Sequence, residues 1–481
     1  MTVSRRTFLS SAVAAGSIAL PLGISTRAYG ANDQIRIAVI GLHGRGGSHM
    51  QGFRDHIVAL CDCDAQVLGA AAESFSKKTK RNVDTFQDYR KLLERPDIDA
   101  VSIATPNHTH ALIGVEAAQA GKDVYVEKPV SHNVWEGRQL VNAARKYNCM
   151  VQTGTQCRSS RSLREAHKFI ADGKLGAIQY AVGTCYKPRQ SIGKLQKPLA
   201  IPAHVDYDLW CGPATKVDLY RPNLHYDWHW DFNTGNGDMG NQGIHQMDLA
   251  RWFLGEDALS PFVLSVGGRL GYDDAGNTPN TQTVLHNYKK APLIFETRGL
   301  PKQNTDWSSG MDNYRGSGVG VVVQCEQGSL LIPSYTEAIA YDSDGEVIKK
   351  FSGGGNHFAN FLSAMRSRNY SDLNADILEG HLSSALCHTG GISHQMGTTM
   401  TGQEIREAIA VSAAGPLYAE SFERMAGHLD KNGVDPERDT VTFGAPLEMD
   451  GVTERFVSNG PANRRLTRQY RRPFVVPDLS V

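Results

Sequence analysis

Up to about residue 152 the chain alternates short apolar runs with longer amphipathic stretches. Residues 35–40 (Ile-Arg-Ile-Ala-Val-Ile), 57–61, 100–104 and 123–126 read as buried parallel strands. Between them, residues 64–80, 88–94, 110–120 and 135–147 read as helices. Strand alternating with helix predicts βαβ units and one parallel sheet. The grammar changes after about residue 155. Apolar alternation at 180–186, 262–269, 282–288, 293–297, 319–325, 329–332 and 337–341, separated by polar loops, predicts a large antiparallel sheet. Helices are expected near 160–172, 243–254, 356–368 and 376–396. The last fifty residues are polar and weakly periodic, and residues 466–481 read as an extended arm over the surface or a neighbouring subunit.

The expected fold class is therefore α/β: an N-terminal unit with a parallel sheet over 31–154 and an α+β unit with a large open antiparallel sheet over 155–430. A C-terminal extension over 431–481 follows. Residues 1–30 are a separate matter. Ser4-Arg5-Arg6-Thr7-Phe8-Leu9, a mild apolar stretch over 12–24 and Ala28-Tyr29-Gly30 have the layout of a twin-arginine export signal. The expected location is periplasmic or otherwise exported, with the twin-arginine machinery as a partner.

Composition narrows the partners. Among 481 residues, 50 Lys and Arg balance 50 Asp and Glu, so no charge excess exists to hold nucleic acid. Arg5, Arg6 and Arg27 fall in the leader, which carries no acid, so the remainder is mildly acidic. No apolar run reaches the ~18 residues of a membrane span. Eight scattered Cys make no disulfide scaffold and read as buried thiols.

Gly41-Leu42-His43-Gly44-Arg45-Gly46-Gly47 sits between a predicted strand and helix, where glycines let backbone amides approach a pyrophosphate. His43 stands where the usual spacing has glycine. Asp62, 21 residues after Gly41, ends the second strand, where a carboxylate binds ribose hydroxyls. With Asp64 beside it, this favours NAD over NADP. Thr105-Pro106-Asn107-His108-Thr109-His110 and Glu127-Lys128-Pro129 follow two further strands, facing the ligand crevice. A lysine there is poorly explained by packing.

Together the glycine turn, the Thr105–His110 segment and the Glu127-Lys128-Pro129 triplet resemble the Gfo/Idh/MocA oxidoreductases. The resemblance covers most of residues 35–400. It implies a Rossmann domain followed by an open antiparallel sheet that lines the substrate site and mediates oligomers, a dimer or tetramer. It implies that Lys128 contacts nicotinamide ribose and substrate hydroxyl, and that Gln156 lies near the nicotinamide. His245 matches the family's acid/base histidine and Asp248 its downstream helix acid. The family has Asp four residues before that histidine, and this chain has Asn241, which cannot carry negative charge. Lys128 is then left with more of the proton work.

The catalytic candidates are Lys128 and His245. The cofactor candidates are Gly41, His43, Gly44, Arg45, Gly46, Asp62, Thr105, Pro106, Asn107, His110, Glu127, Lys128 and Gln156. Tyr186, Trp228, Trp230, Asn241, Gln242 and His245 are the substrate candidates, the aromatic rings suiting a sugar's C–H face. His225 and His229 are spaced for a metal only if helical, which the following glycines oppose, so no metal is expected. His381 and His388 read as core histidines. The expected activity is hydride transfer between a sugar or polyol secondary alcohol and a tightly held nicotinamide. NAD-dependent glycoside hydrolysis and a non-catalytic dinucleotide-holding protein stand as alternatives.

Overall fold

The computed structural model describes residues 34–413, 415–438 and 441–480; the leader expected over 1–30 lies outside them. The first sheet contains β1 (Ile37–Ile40), β2 (Ile57–Cys61), β3 (Asp84–Phe86), β4 (Ala100–Ile103), β5 (Asp123–Val126) and β6 (Val151–Thr153). Their order is β3-β2-β1-β4-β5-β6, all parallel. β1, β4 and β5 are buried along their whole length because helices cover both faces. The strand order reverses between β1 and β4, and at such a switch point the strand ends diverge into a crevice. The short β3 and β6 carry too few apolar positions to be read from pattern alone.

The second sheet has twelve strands. Its main path runs β14 (Val347–Ser352), β13 (Glu337–Asp342), β12 (Gly328–Ser334), β11 (Val319–Cys325), β7 (Ile178–Tyr186), β10 (Leu293–Arg298), β9 (Thr281–His286), β8 (Phe262–Gly268), β16 (Val441–Phe443), β15 (Thr398–Met400). β7 and β10 are parallel and the other neighbours antiparallel, so the sheet is mixed. The helices Ile244–Leu254 and Ile377–Gln395 pack on one face and Gly415–Asp430 on the other.

Residues 431–481 do more than extend. They supply β16 and β17 (Leu447–Asp450), both paired to β8. The terminal segment then crosses back to the first domain, where Phe474, Val476 and Leu479 are buried beside Val141 and Ala144. The arm thus covers its own chain, anchored where Leu479 N donates to Gln139 Oε1 at 2.6 Å.

Candidate active site

The crevice at the β1/β4 switch point opens into a cavity of about 440 Å³ between the two sheets. Its floor is the glycine turn. Gly41 has φ +85°, and a Cβ there would lie 2.7 Å from the Ala104 backbone. A Cβ on Gly46 would lie 2.1 Å from the Gly41 carbonyl oxygen, so helix and turn close together only with glycine at both places. Gly46 therefore serves this contact and stays off the cavity wall, whereas Gly41, His43, Gly44 and Arg45 line it. His43 stands exposed at the rim and stacks on His225, ring centres 5.2 Å apart.

Asp62 lines the cavity where β2 ends. It accepts from the amides of Leu42 at 2.8 Å and Asp64 at 3.0 Å, so it also braces the turn. Burial raises its pKa against those amides. Asp64, expected to add charge beside it, is turned away. It caps the helix Ala65–Thr79 and accepts from His204 at 2.8 Å and His225 at 2.9 Å. Burial opposes its ionisation, but the amides and His204 hold its carboxyl below the usual range.

Thr105, Pro106 and Asn107 line the cavity at the start of the helix Asn107–Gln119. His110 also reaches the wall, but its ring nitrogens lie 2.6 Å from the Thr105 carbonyl and 2.7 Å from the Pro129 carbonyl. It ties the two strand-end loops together. Glu127 is likewise committed: it accepts from Arg45 Nε at 2.7 Å and His49 Nε2 at 3.0 Å. Burial works against its charge, yet His49 and Arg45 hold it well below the carboxylate range. Glu127 and His110 thus both line the cavity. Both spend their polar atoms on bracing the loops that carry Lys128 and Thr105.

Lys128 is half-buried and donates to the main-chain carbonyl of Asn241. Burial lowers its pKa, partly offset by Glu127. Asn241 belongs to a π-helical turn, Met239–Gly243, that leads into the helix Ile244–Leu254. A wider turn of this kind is often found where side chains are re-aimed at a site. His245 follows on the wall, 5% exposed, with a buried Nδ1 that has no partner among the described residues. Burial, and then Lys128, push its pKa down to about 3, so the ring is neutral. Tyr335, from the β12–β13 turn, lies against that ring at 5.1 Å and accepts from Gln242 Nε2 at 2.8 Å. Gln156 lines the same space, and its buried Oε1 has no partner among the described residues.

Asp248 is not part of this wall. It forms a two-oxygen contact with Arg158 Nε, both at 3.0 Å, and accepts from Ser383 at 2.7 Å. The pair ties the Gln156 segment to the His245 helix. Tyr186 also departs from expectation: its phenol donates to Glu296 at 2.5 Å. Gly183 faces the His245 helix, since a Cβ there would meet Gln246 at 3.1 Å, and side chains alternate along a strand. Tyr186, three residues on, points to the opposite face. Trp230 packs under Arg189, 5.0 Å from guanidinium to ring centre, and does not line the cavity. Trp228, Asn241 and Gln242 do.

The roof is a long connection after β7, which brings Leu209, Trp210, His225, Tyr226 and His229 over the cavity. His225 holds it to the first domain through Asp64, while His229 Nδ1 lies 2.5 Å from the Tyr226 carbonyl. The two histidines thus have separate partners. Tyr335, Tyr226 and Tyr89 also line the cavity and were not singled out by sequence; Tyr335 reaches it through a turn far along the chain.

The donor set suits a dinucleotide: a glycine floor, a carboxylate after β2, a helix start, and two orphaned polar atoms at the far end. Residues 35–155 match the oxidoreductase family with the NAD-binding Rossmann fold, and residues 162–310 match that family's C-terminal alpha/beta domain, together more than half of the chain. Levoglucosan dehydrogenase of Pseudarthrobacter phenanthrenivorans is 28% identical over 207 residues, 43% of this chain and 44% of that protein. A glycosyl hydrolase family 109 protein of Shewanella baltica is 33% identical over 178 residues, 31% of this chain and 39% of that protein. The chain therefore matches less than half the length of either relative. The WlbA dehydrogenase of Bordetella pertussis, solved with NADH and UDP-GlcNAcA, shares the fold with a TM-score of 0.53 at 18% identity, over 74% of this chain and 95% of that one. With both domains matched in order, the chain belongs to the Gfo/Idh/MocA oxidoreductase family and carries its NAD-binding Rossmann fold.

Proposed function

We propose that this protein is an exported NAD-dependent oxidoreductase acting on a secondary alcohol of a sugar, sugar derivative or polyol. The observation that carries the reading is that one cavity is lined by Lys128 and His245 together with the glycine turn and Asp62. NAD, held by Gly41, Gly44, Asp62, Thr105 and Asn107, would supply the hydride acceptor. Asp62 favours a free ribose hydroxyl over a 2′-phosphate.

The chain's own groups divide the proton work by their electrostatics. A ring held near pKa 3 is a weak base for a hydroxyl proton. Lys128, with its pKa lowered by burial, is better matched. Lys128 takes the hydroxyl proton in its amine form, and the resulting ammonium steadies the charge on oxygen. Neutral His245, on the cavity wall, hydrogen-bonds and orients the hydroxyl. Trp228 and Tyr226 offer apolar surface to the sugar.

Hydrolysis through transient oxidation is the second reading. It is favoured by Tyr335, a further proton-handling group against His245, and by similarity to the family 109 glycosyl hydrolases. The two differ in net redox change. Purified protein is denatured to identify any released dinucleotide, then assayed with sugars for NADH formation and with nitrophenyl glycosides for phenol release. NADH accumulation supports the dehydrogenase, and phenol release without it supports the hydrolase. Lys128→Ala should lower either turnover by about 10²–10⁴-fold. Unchanged turnover would remove the catalytic proposal.

Export rests on the Arg5-Arg6 leader, and Arg5→Lys with Arg6→Lys should leave the protein inside the cell. Among the described residues no helix is long and apolar enough to cross a membrane. A homo-oligomer built on the large sheet is part of the same proposal, checked by light scattering.

A further inference from the structure

A second cavity, of about 320 Å³, lies behind the catalytic turn, where the C-terminal arm crosses the helix Ile377–Gln395 and the loop before the helix Val134–Lys146. Arg464, Arg465 and Arg468 line it, with His132 and His388, and none of its lining side chains among the described residues is acidic. None of the three arginines forms an ion pair among the described residues. Arg464 and Arg465 are exposed and Arg468 is half-buried; four arginines elsewhere are matched, Arg158 with Asp248, Arg189 with Asp238, Arg269 with Asp274 and Arg298 with Glu296.

Arg468 is held in place without being neutralised. Its Nη2 donates to the Asn233 carbonyl at 3.1 Å and to Asn233 Oδ1 at 2.9 Å, and its Nη1 to His132 Nδ1 at 3.3 Å. Its Nε is buried with no acceptor. Glu136, the acid that Arg468 faces, spends its oxygens on Tyr470 and the His132 amide. His388, 4% exposed, binds Ser131 through Nε2 and leaves Nδ1 buried and unpartnered. The Arg465 side chain donates to Gln395 Oε1 at 3.1 Å. A guanidinium donor that is itself buried and idle is costly, and a charge-assisted bond to an anion offsets that cost.

We propose that this cavity is an oxyanion site, distinct from the dinucleotide cavity, that takes a small phosphate-class anion between Arg464, Arg465, Arg468 and His388. The anion is either free or carried by a small sugar. Its surroundings join it to the catalytic side. Asn236, on its wall, donates to the His132 carbonyl at 3.2 Å, and Cys387 Sγ donates to the Met239 carbonyl at 3.1 Å, in the turn that carries Asn241. The site stands whether or not the chain proves to be a dehydrogenase.

Calorimetric titration of the full chain with inorganic phosphate tests it, against chloride at equal ionic strength, with glucose 6-phosphate in a parallel arm. Saturable one-site binding of phosphate is expected, and Arg464→Gln with Arg465→Gln should weaken it by at least about tenfold. Both side chains are exposed, so folding should be retained, which circular dichroism checks. Tighter binding of the sugar phosphate identifies a sugar-borne group, and equal binding a free anion. No saturable heat for either anion, or equal affinity in the folded double variant, would overturn the proposal.

Discussion

Lys128 Nζ donates to the main-chain carbonyl of Asn241, so the strand-end lysine of one domain is tied to the turn that delivers His245 from the other. The bond uses the backbone of residue 241 and leaves its side chain free on the cavity wall. Placing a carboxylate there by Asn241→Asp should therefore keep the tether and change the electrostatics of His245. An anion four residues before the ring favours its protonated form. The His245 pKa, near 3 in the present environment, should rise. Where the neutral ring is required, the acid limb of kcat/KM should move to higher pH. An unmoved limb would show that His245 does not titrate in the rate.

The alkaline side answers to Lys128. Its pKa lies below the ordinary lysine value because of burial. As its amine form accepts the proton, oxidation should increase as pH rises through that lowered value, below ~10.5. Lys128→Arg, fixed in the protonated state, should abolish this rise and most of the turnover. A pH–rate profile of both proteins decides it.

Asp62→Ser should shift the cofactor ratio. Loss of the carboxylate removes a ribose partner and the repulsion of a 2′-phosphate. The selectivity for NAD over NADP should fall by at least about tenfold, read as a ratio of dissociation constants. Part of the NAD loss will come from the turn, since Asp62 also accepts from the Leu42 amide. The ratio, unlike either constant alone, cancels the effect on the turn that both cofactors share.

The parts of the site that sequence revealed sit at strand ends, where the motif and the structure are local to each other. Gly41, Asp62, Thr105 and Lys128 each follow a strand of a parallel sheet, and such strand ends converge. His245 and Asn241 were found because one short segment carries both. Tyr186 was misplaced by strand parity: a side chain's face changes with each residue, and the pattern of β7 does not say which face meets the helix. Tyr335 escaped because a turn ninety residues beyond His245 is brought back by the sheet. Asp64 and Asp248 looked like site acids, but a cap and a buried ion pair use the same residue types. The terminal arm was legible as extended and its anchors were not, because three separated apolar side chains, Phe474, Val476 and Leu479, make no periodic signal.

The Arg158–Asp248 pair holds Gln156 and the His245 helix together in a buried setting, 6% and 1% exposed. Asp248→Asn leaves the guanidinium undercompensated and should cost roughly 3–5 kcal/mol in a denaturant titration. The double change Arg158→Met with Asp248→Leu should recover much of that stability, since matched apolar groups avoid desolvating charge. Recovery of stability without recovery of turnover would show that the pair positions the site.

His286, at the end of β9, is fully buried, and neither ring nitrogen has a partner among the described residues. Burial lowers its pKa to about 3. In the unfolded chain the ring titrates near ~6.5. The folded state therefore binds fewer protons between those values, and stability is present above pH ~6.5 and falls as pH drops toward 3. His245 and His388 add in the same direction. At pH 5 each ring should cost up to about 2 kcal/mol by this linkage. His286→Leu removes one such group and its unpaired nitrogens, and should stabilise the fold by about 1 kcal/mol at neutral pH. The gain should be larger at pH 5, so urea midpoints of the two proteins should diverge as pH falls. Parallel midpoints would mean that the ring is hydrated or hydrogen-bonded in solution.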